Sequence, residues 1–249
     1  MPGWPEGVAR HVLPRAASTN AEGLRLAPAL RGPAWIMAQE QTAGRGRRGR
    51  SWQMLPGNFA ATLILHPNGP ATEAAQFSFV AALALYDALA DAVGPQARLS
   101  IKWPNDLLLN GGKVAGILLE SAGAGGMVQH LAIGIGVNLA AAPGAELVEP
   151  DAARPASVAA ETGISIEPDA FLDLLAPAFA AWQARLAEGG FAEIRRAWMA
   201  RAARLGQPIT ARTMRETVTG IFEGIDGDGA MILSTPQGQH IVPAADVFF

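Results

Sequence analysis

Residues 44–50 read Gly44, Arg45, Gly46, Arg47, Arg48, Gly49 and Arg50, four arginines and three glycines in one run. Glycine inside a helix or strand costs roughly 0.5–1 kcal/mol relative to alanine, and adjacent guanidinium groups repel, so neither regular element is expected here. The run is read as a mobile loop between strand-like segments at residues 35–40 and 59–66. Loops of this composition belong on the surface, so the core has to come from the segments on either side.

Three readings compete for this loop. Residues 44–49 satisfy the G-x-G-x-x-G pattern of a dinucleotide site, but the context is wrong. No helix can start across Ser51, Trp52, Leu55, Pro56 and Gly57, and no acidic residue occurs near position 70 before Glu73. A solvated charge run is the usual fate of clustered arginines, yet it leaves the glycines unexplained. Interleaved glycine and arginine bring backbone N–H groups and guanidinium forks close to an anion, which suits a loop that wraps phosphates.

Composition narrows the field. The chain has 249 residues, half of them hydrophobic and 16% charged, with a formal net charge of -3, which favours a packed globular protein over a disordered one. An acidic balance leaves a nucleic-acid role to a local patch. Cysteine is absent, which excludes disulfides, thiolate metal sites and cysteine nucleophiles. The start (Met1, Pro2, Gly3, Trp4, Pro5, Glu6) lacks the pattern of an export signal, so a cytoplasmic location is expected. The apolar stretch 77–93 carries Asp87 and Asp91 and is read as a buried helix, too short to span a bilayer.

Along the chain, residues 8–13 resemble a strand, and Thr19 with Glu22 forms a T-x-x-E capping box opening a helix towards Leu30. Thr72 is placed as the cap of the helix through Val93, and residues 99–102 begin another strand. Asn110-Gly111 signals a tight hairpin, so Lys113 starts a returning strand that runs to Glu120. Residues 128–137 follow as its antiparallel neighbour after a glycine-rich turn. Helical patterns at 169–188 and 191–205 end at Gly206 and Pro208. Short alternating runs over 209–249, separated by Asp226-Gly227, Asp228-Gly229 and Gln237-Gly238, suggest a small β-barrel of SH3-like size.

Two further clusters carry chemistry. Lys102, Trp103, Pro104, Asn105 and Asp106 are followed by Lys113, Val114, Ala115, Gly116, Ile117 and Leu118. Each part also has an ordinary structural role: Trp103 and Pro104 can fill and turn a strand end, Asn105 and Asp106 are turn formers, and Lys113 can face solvent. Gly134 and Gly136 sit inside an apolar strand, where glycine marks a close approach by another backbone or a ligand. Asn138 could then read an adenine edge or simply close the strand end.

Taken together and in order, Ser18-Thr19-Asn20, then residues 41–52, 102–106, 112–120 and 134–138, resemble the signature blocks of the biotin protein ligase family. The resemblance spans about residues 8–205 and implies an α+β fold. That fold is a mixed, mainly antiparallel sheet with flanking helices of the class II synthetase-like kind, in a catalytic domain at 1–205. A small SH3-like β-barrel domain would follow at 206–249. It implies an ATP-dependent ligase forming a carbon–nitrogen bond: biotin is activated to biotinyl-5'-AMP and then passed to a lysine of a biotin carboxyl carrier protein, such as an acetyl-CoA carboxylase subunit.

Carried over residue by residue, the resemblance places biotin against Ser18, Thr19, Asn20, Gln41, Arg45, Gly46, Arg47, Lys113 and Gly116. It places ATP against Arg47, Arg48, Trp52, Asn105, Asp106, Lys113 and Asn138. Lys113 and Arg47 are the expected catalytic residues. ATP enters as a substrate with Mg2+, and no protein metal site is expected. A neutral ureido ring suits uncharged donors and acceptors beside a helix start, whereas a carboxylate meeting a phosphate suits a compact lysine and arginine forks. The blocks begin at Ser18, which leaves no room for a helix-turn-helix, so specific DNA binding and repressor activity are not implied. The barrel ends Asp246, Val247, Phe248, Phe249, where the family often has a basic residue that can reach the nucleotide, so the sequence leaves open whether the barrel contacts ATP. No membrane partner is expected, and an exposed edge strand is compatible with a homodimer.

A lipoate ligase is the alternative within the same superfamily. A nucleic-acid-binding module using the arginine-glycine loop is the alternative from another class. His11, His66, His130 and His240 are scattered and read as structural or exposed.

Overall fold

Two long strands, β7 (Gly112–Ala124) and β8 (Met127–Val137), form the middle of the molecule. They pair antiparallel across Gly125 and Gly126, whose positive φ angles of 61° and 78° are those a primed two-residue turn requires. The computed structural model describes residues 3–144, 146, 153–213 and 215–248. Met1 and Pro2 of the expected N-terminal reading, and Phe249, lie outside the described residues.

Around this pair the sheet runs β1-β2-β3-β8-β7-β6-β5, with β1 (Ala9–Ala16), β2 (Ala34–Gln41), β3 (Phe59–Leu65), β5 (Leu99–Lys102) and β6 (Asp106–Leu109). The two-residue β4 (Gly69–Pro70) pairs with the outer end of β8. β1 and β2 are parallel, because α1 (Thr19–Leu26) and a following 3-10 turn supply the crossover that parallel strands need. The other ladders are antiparallel, so the expected mixed, mainly antiparallel sheet is what forms. Asn110 and Gly111, both with positive φ, make the expected tight turn between β6 and β7.

The period-two alternation of β2 and β3 sorts their side chains onto two faces. Trp35, Met37, Phe59, Ala61 and Leu63 face α2 (Ala71–Val93) and α4 (Pro168–Met199) in the main core. There Trp35 meets Phe179 edge-on at 6.0 Å and Phe59 meets Phe171 at 5.1 Å. Ala34, Ile36 and Ile64 face the other way, towards Leu24 and Leu26 of α1. That second face, only partly covered, is where a ligand can enter.

Two helix boundaries, the start of α2 and the end of α4, differ from the sequence expectation, each for a tertiary reason. α2 begins directly after Pro70, with no side-chain cap, because pairing of β4 with β8 fixes where the helix starts; Thr72 is already inside it. At 23 residues α2 is also long and apolar enough to cross a membrane by length and composition, longer than the stretch first read. Its residues from Phe79 to Leu89 are largely buried, and its Asp87 accepts bonds from Trp182 at 2.7 Å and Arg201 at 3.4 Å. This is a core helix.

The two helical patterns expected at 169–188 and 191–205 form as two helices within α4, separated at Gly190 by a φ of 65°. Its second part stops at Met199, well before Leu205. Residues 201–203 turn aside to bond the free edge of β5, with Ile101 N donating to Arg201 O and Ala203 N to Ile101 O, both at 2.8 Å.

The C-terminal segment forms β9 (Pro208–Arg212), β10 (Thr217–Ile225), β11 (Met231–Thr235), β12 (Gly238–Val242) and β13 (Asp246–Phe248). They make an antiparallel sheet in the order β12-β11-β10-β9-β13. This is the small β-unit expected as a barrel, but the ladder is not closed among the described residues. Its core is continuous with that of the large sheet through Ile209, Phe222 and Leu233, and Trp103 Nε1 donates to Gly229 O at 3.0 Å.

Phe179→Ala removes the ring packed against Trp35 and is expected to lower stability by about 3–5 kcal/mol, read from urea unfolding with an unchanged slope. A loss below about 1 kcal/mol would show that the α4 contact is not what holds the sheet's inner face.

Candidate functional site

Small residues line up on the outer face of the central strands. Ala60 of β3 pairs with Gly136 of β8, which pairs with Gly116 of β7; one step along, Thr62 pairs with Gly134, and Gly134 with Leu118. The resulting trough is occupied from two sides. A Cβ on Gly134 would strike the Asn20 amide, and one on Gly136 would lie 2.5 Å from the Trp52 indole. The close approaches suspected at these glycines are therefore made by side chains of the chain itself.

A cavity of about 840 Å³ opens over this trough. Of the expected site residues it is lined by Ser18, Thr19, Asn20, Gln41, Arg45, Gly46, Arg47, Trp52, Asn105, Asp106, Lys113, Gly116 and Asn138. Arg48 is not among the lining residues.

One end of the cavity is neutral and hydrogen-bonding. Ser18, in extended conformation, caps α1 by accepting from Ala21 N, so the cap is Ser18 and not Thr19 as first read. Thr19 is the first helical residue, and its free backbone N–H is taken by Gln41 Oε1 at 2.9 Å, with its hydroxyl 3.2 Å from the same oxygen. Buried Asn20 donates to Leu118 O at 3.2 Å and Glu120 Oε2 at 2.8 Å, while its Oδ1 lies 2.7 Å from the Thr62 hydroxyl. Glu120 can only accept, so it orients the Asn20 amide.

The other end is cationic. Lys113 Nζ sits 2.7 Å from Asp106 Oδ1 and 5.8 Å from the centre of the Trp52 ring. Its backbone is stitched to the returning chain: Lys113 N donates to Arg154 O at 2.7 Å, and Ala156 N to Lys113 O at 2.9 Å. Asn105 donates to Ile117 O, and Asn138 to Ala156 O at 3.0 Å, so both amides are bonded to backbone as well as lining the cavity. Burial pushes the Lys102 ammonium and the Arg47 guanidinium below their ordinary values, opposed at Lys102 by Asp106 and at Arg47 by Asp246 and Asp106.

The arginine-glycine run is neither helix nor strand, as its composition demands. It closes on itself through Gly46 N to Arg50 O at 2.7 Å and Trp52 N to Gly44 O at 2.9 Å, with one 3-10 turn at Arg47–Gly49. Its arginines find anions within the chain. Arg45 lies 3.5 Å from Glu120, and Arg48 and Arg50 lie 2.5 and 2.7 Å from Asp246 Oδ2. Arg47 donates to Ala245 O at 3.4 Å. The C-terminal sheet thus reaches the cavity, through an acid and not the base whose absence was noted. Glu120 and Asp246 carried no local signal, since each meets its partners across the fold.

Among the described residues no group of three His, Cys, Asp or Glu side chains is placed to hold a metal ion. His66 and His130 pack edge to face at 5.1 Å, away from the cavity lining.

The model of the biotin/lipoate A/B protein ligase family matches residues 12–138, and that of the biotin protein ligase C-terminal domain matches residues 205–249. A biotin--[acetyl-CoA-carboxylase] ligase of Paracoccus denitrificans is 66% identical over 238 residues, covering 96% of this chain and 99% of the relative. The chain belongs to the biotin protein ligase family. The bifunctional ligase/repressor BirA of Bacillus subtilis is 35% identical over 85% of this chain, which spans 65% of that longer protein. A biotin protein ligase from Aquifex aeolicus in complex with biotin and ATP shares the fold, with a TM-score of 0.80 at 23% identity over 96% of this chain and 98% of that one.

Trp52 lies over Gly136 and forms part of the cavity floor. Gly136→Ala forces the indole away and is expected to weaken ATP binding about tenfold by calorimetry, with little change in melting temperature. Unchanged affinity would show that Trp52 does not wall the nucleotide side.

Proposed function

We propose that the residues lining this cavity bind biotin at the neutral end and the phosphates of ATP at the cationic end, so that the ligase reaction occurs between them. The observation that carries the reading is that one cavity holds both chemistries: Thr19, Asn20 and Gln41 gathered about α1, and Lys113 and Arg47 beside Asp106 and Asp246.

In the first step a carboxylate oxygen of biotin attacks the α-phosphorus of ATP, the bond to the bridging oxygen breaks, and pyrophosphate leaves. Two anions must be brought into contact, and the transition state gathers negative charge. Lys113, steadied by Asp106, is a compact cation that can sit between carboxylate and α-phosphate. Arg47, half withdrawn from water, and Arg45 supply guanidinium forks to phosphate oxygens; Asn105, Asn138, Trp52 and Arg48 complete the nucleotide side.

In the second step the neutral amine of a carrier lysine attacks the acyl carbon of biotinyl-5'-AMP and AMP leaves, the nitrogen giving up one proton and keeping the other as the amide forms. The carrier fits a biotin carboxyl carrier protein, and residues 206–249 would act as an appended module. Magnesium enters with ATP as part of the substrate. Asp106 is a carboxylate on the cavity wall beside Lys113, and one or two carboxylates with phosphate oxygens are what magnesium requires.

Calorimetric titration with biotin, lipoate and DNA tests the reading, since only biotin should bind tightly. For the chemistry, Lys113→Ala is expected to lower pyrophosphate release from biotin and ATP by about 10²–10³-fold. The side chain is partly exposed, so the melting temperature should hold. Wild-type rates in this variant would remove Lys113 from the mechanism.

A further inference from the structure

The arginine loop is filled by an acid of its own chain. Asp246, the first residue of β13, presents one oxygen to Arg48 at 2.5 Å and to Arg50 at 2.7 Å, and the other to Arg50 at 3.4 Å. Its side chain is 11% exposed, against 36% and 47% for the two arginines. It is held rigidly, because β13 is laddered to β9 through Asp246, Val247 and Phe248. It also lines the cavity beside Arg47, Asp106 and Lys113.

A guanidinium fork accepts carboxylate and phosphate oxygens in the same geometry. Three arginines within four positions repel unless an anion lies among them, and Asp246 is that anion in the chain as it stands. A phosphate brought to the same guanidinium groups would lie against the Asp246 carboxylate, and two like charges at that range disfavour one another.

We propose that Asp246 is a built-in counter-anion of the arginine loop: its carboxylate holds Arg48 and Arg50 until a polyphosphate exchanges for it, so the C-terminal sheet sets how readily the nucleotide is admitted. The proposal rests on the reading that ATP phosphates bind this loop. It assigns Asp246 as a positioning residue that competes with the substrate. When the phosphates arrive, Arg48 and Arg50 change partners and the loop folds over the nucleotide.

The test uses the full chain as wild type, as Asp246→Asn, which keeps the shape and removes the charge, and as Asp246→Ser in case the first variant fails to fold. Trypsin cleavage after Arg48 and Arg50 is followed without ligand and with inorganic triphosphate, and pyrophosphate release is followed with biotin and ATP. Without ligand, the variant loops should be cut several-fold faster. Half-protection should need roughly three- to tenfold less triphosphate than in wild type, from loss of two partly exposed ion pairs. KM for ATP should fall by a similar factor with a smaller change in kcat.

Equal or higher triphosphate requirements in both variants would overturn the proposal, the higher value meaning that Asp246 aims the arginines at the nucleotide without competing for them. Wild-type protein that releases no pyrophosphate would defeat the ligase reading alone, because the triphosphate measurement does not depend on biotin chemistry.

Discussion

Where β7 meets β8, glycine pairs with glycine. Gly116 and Gly136 are directly opposite, with Ala60 beyond them on β3, and this run of minimal side chains turns an ordinary antiparallel sheet into a floor that can be approached closely. A sheet normally buries or solvates both faces with side chains of similar height. Here the inner face carries Trp35, Phe59 and Ile133 against α2 and α4, so the sheet remains stable although its outer face is hollow. The stability cost of strand glycines is met by aromatic packing on the other side of the same strands.

The hollow is then furnished by chain segments that are distant in sequence. α1 delivers Ser18, Thr19 and Asn20 because the parallel crossover from β1 to β2 has to pass over this face, and its N-terminus opens there. The tight turn at Asn110 and Gly111 places Lys113 at the start of β7, three residues from Gly116. Neutral and cationic ends therefore follow from topology: a helix start at one end, a hairpin and an arginine loop at the other. Bringing a neutral ring and a polyphosphate together in one cavity is what a ligase that passes through an acyl adenylate requires.

Several cations at the cavity already lean on acids of the chain: Lys113 on Asp106, Arg45 on Glu120, and Arg48 and Arg50 together on Asp246. Each pair is partly exposed and individually weak. Arg47 is different: its burial makes the charged form costly, and only the fields of Asp246 and Asp106 offset that.

Much of this was legible from residue order. The hairpin at Asn110-Gly111 and the strand expected at 59–66, which forms as Phe59–Leu65, rest on local chemistry, and so does the absence of an α-helix or β-strand over 44–50, where one 3-10 turn forms. The neutral and cationic residues that line the cavity were nameable because each sits in a short block whose composition is odd by itself. Elements whose ends depend on a distant partner read less well. Ser18 is the cap while the Thr19 hydroxyl is engaged with Gln41 and Thr62; α2 starts where β4 leaves β8; α4 stops where β5 offers a free edge. Sequence alone determined which residues are polar, small or charged, and so which chemistry the chain can perform, because those properties are carried by each side chain wherever it lies. Only the tertiary structure decided that Asp246, nearly two hundred positions away, would be the partner of Arg48 and Arg50. Ion pairing acts over a few ångströms, and no local pattern in the chain records which residues will come that close.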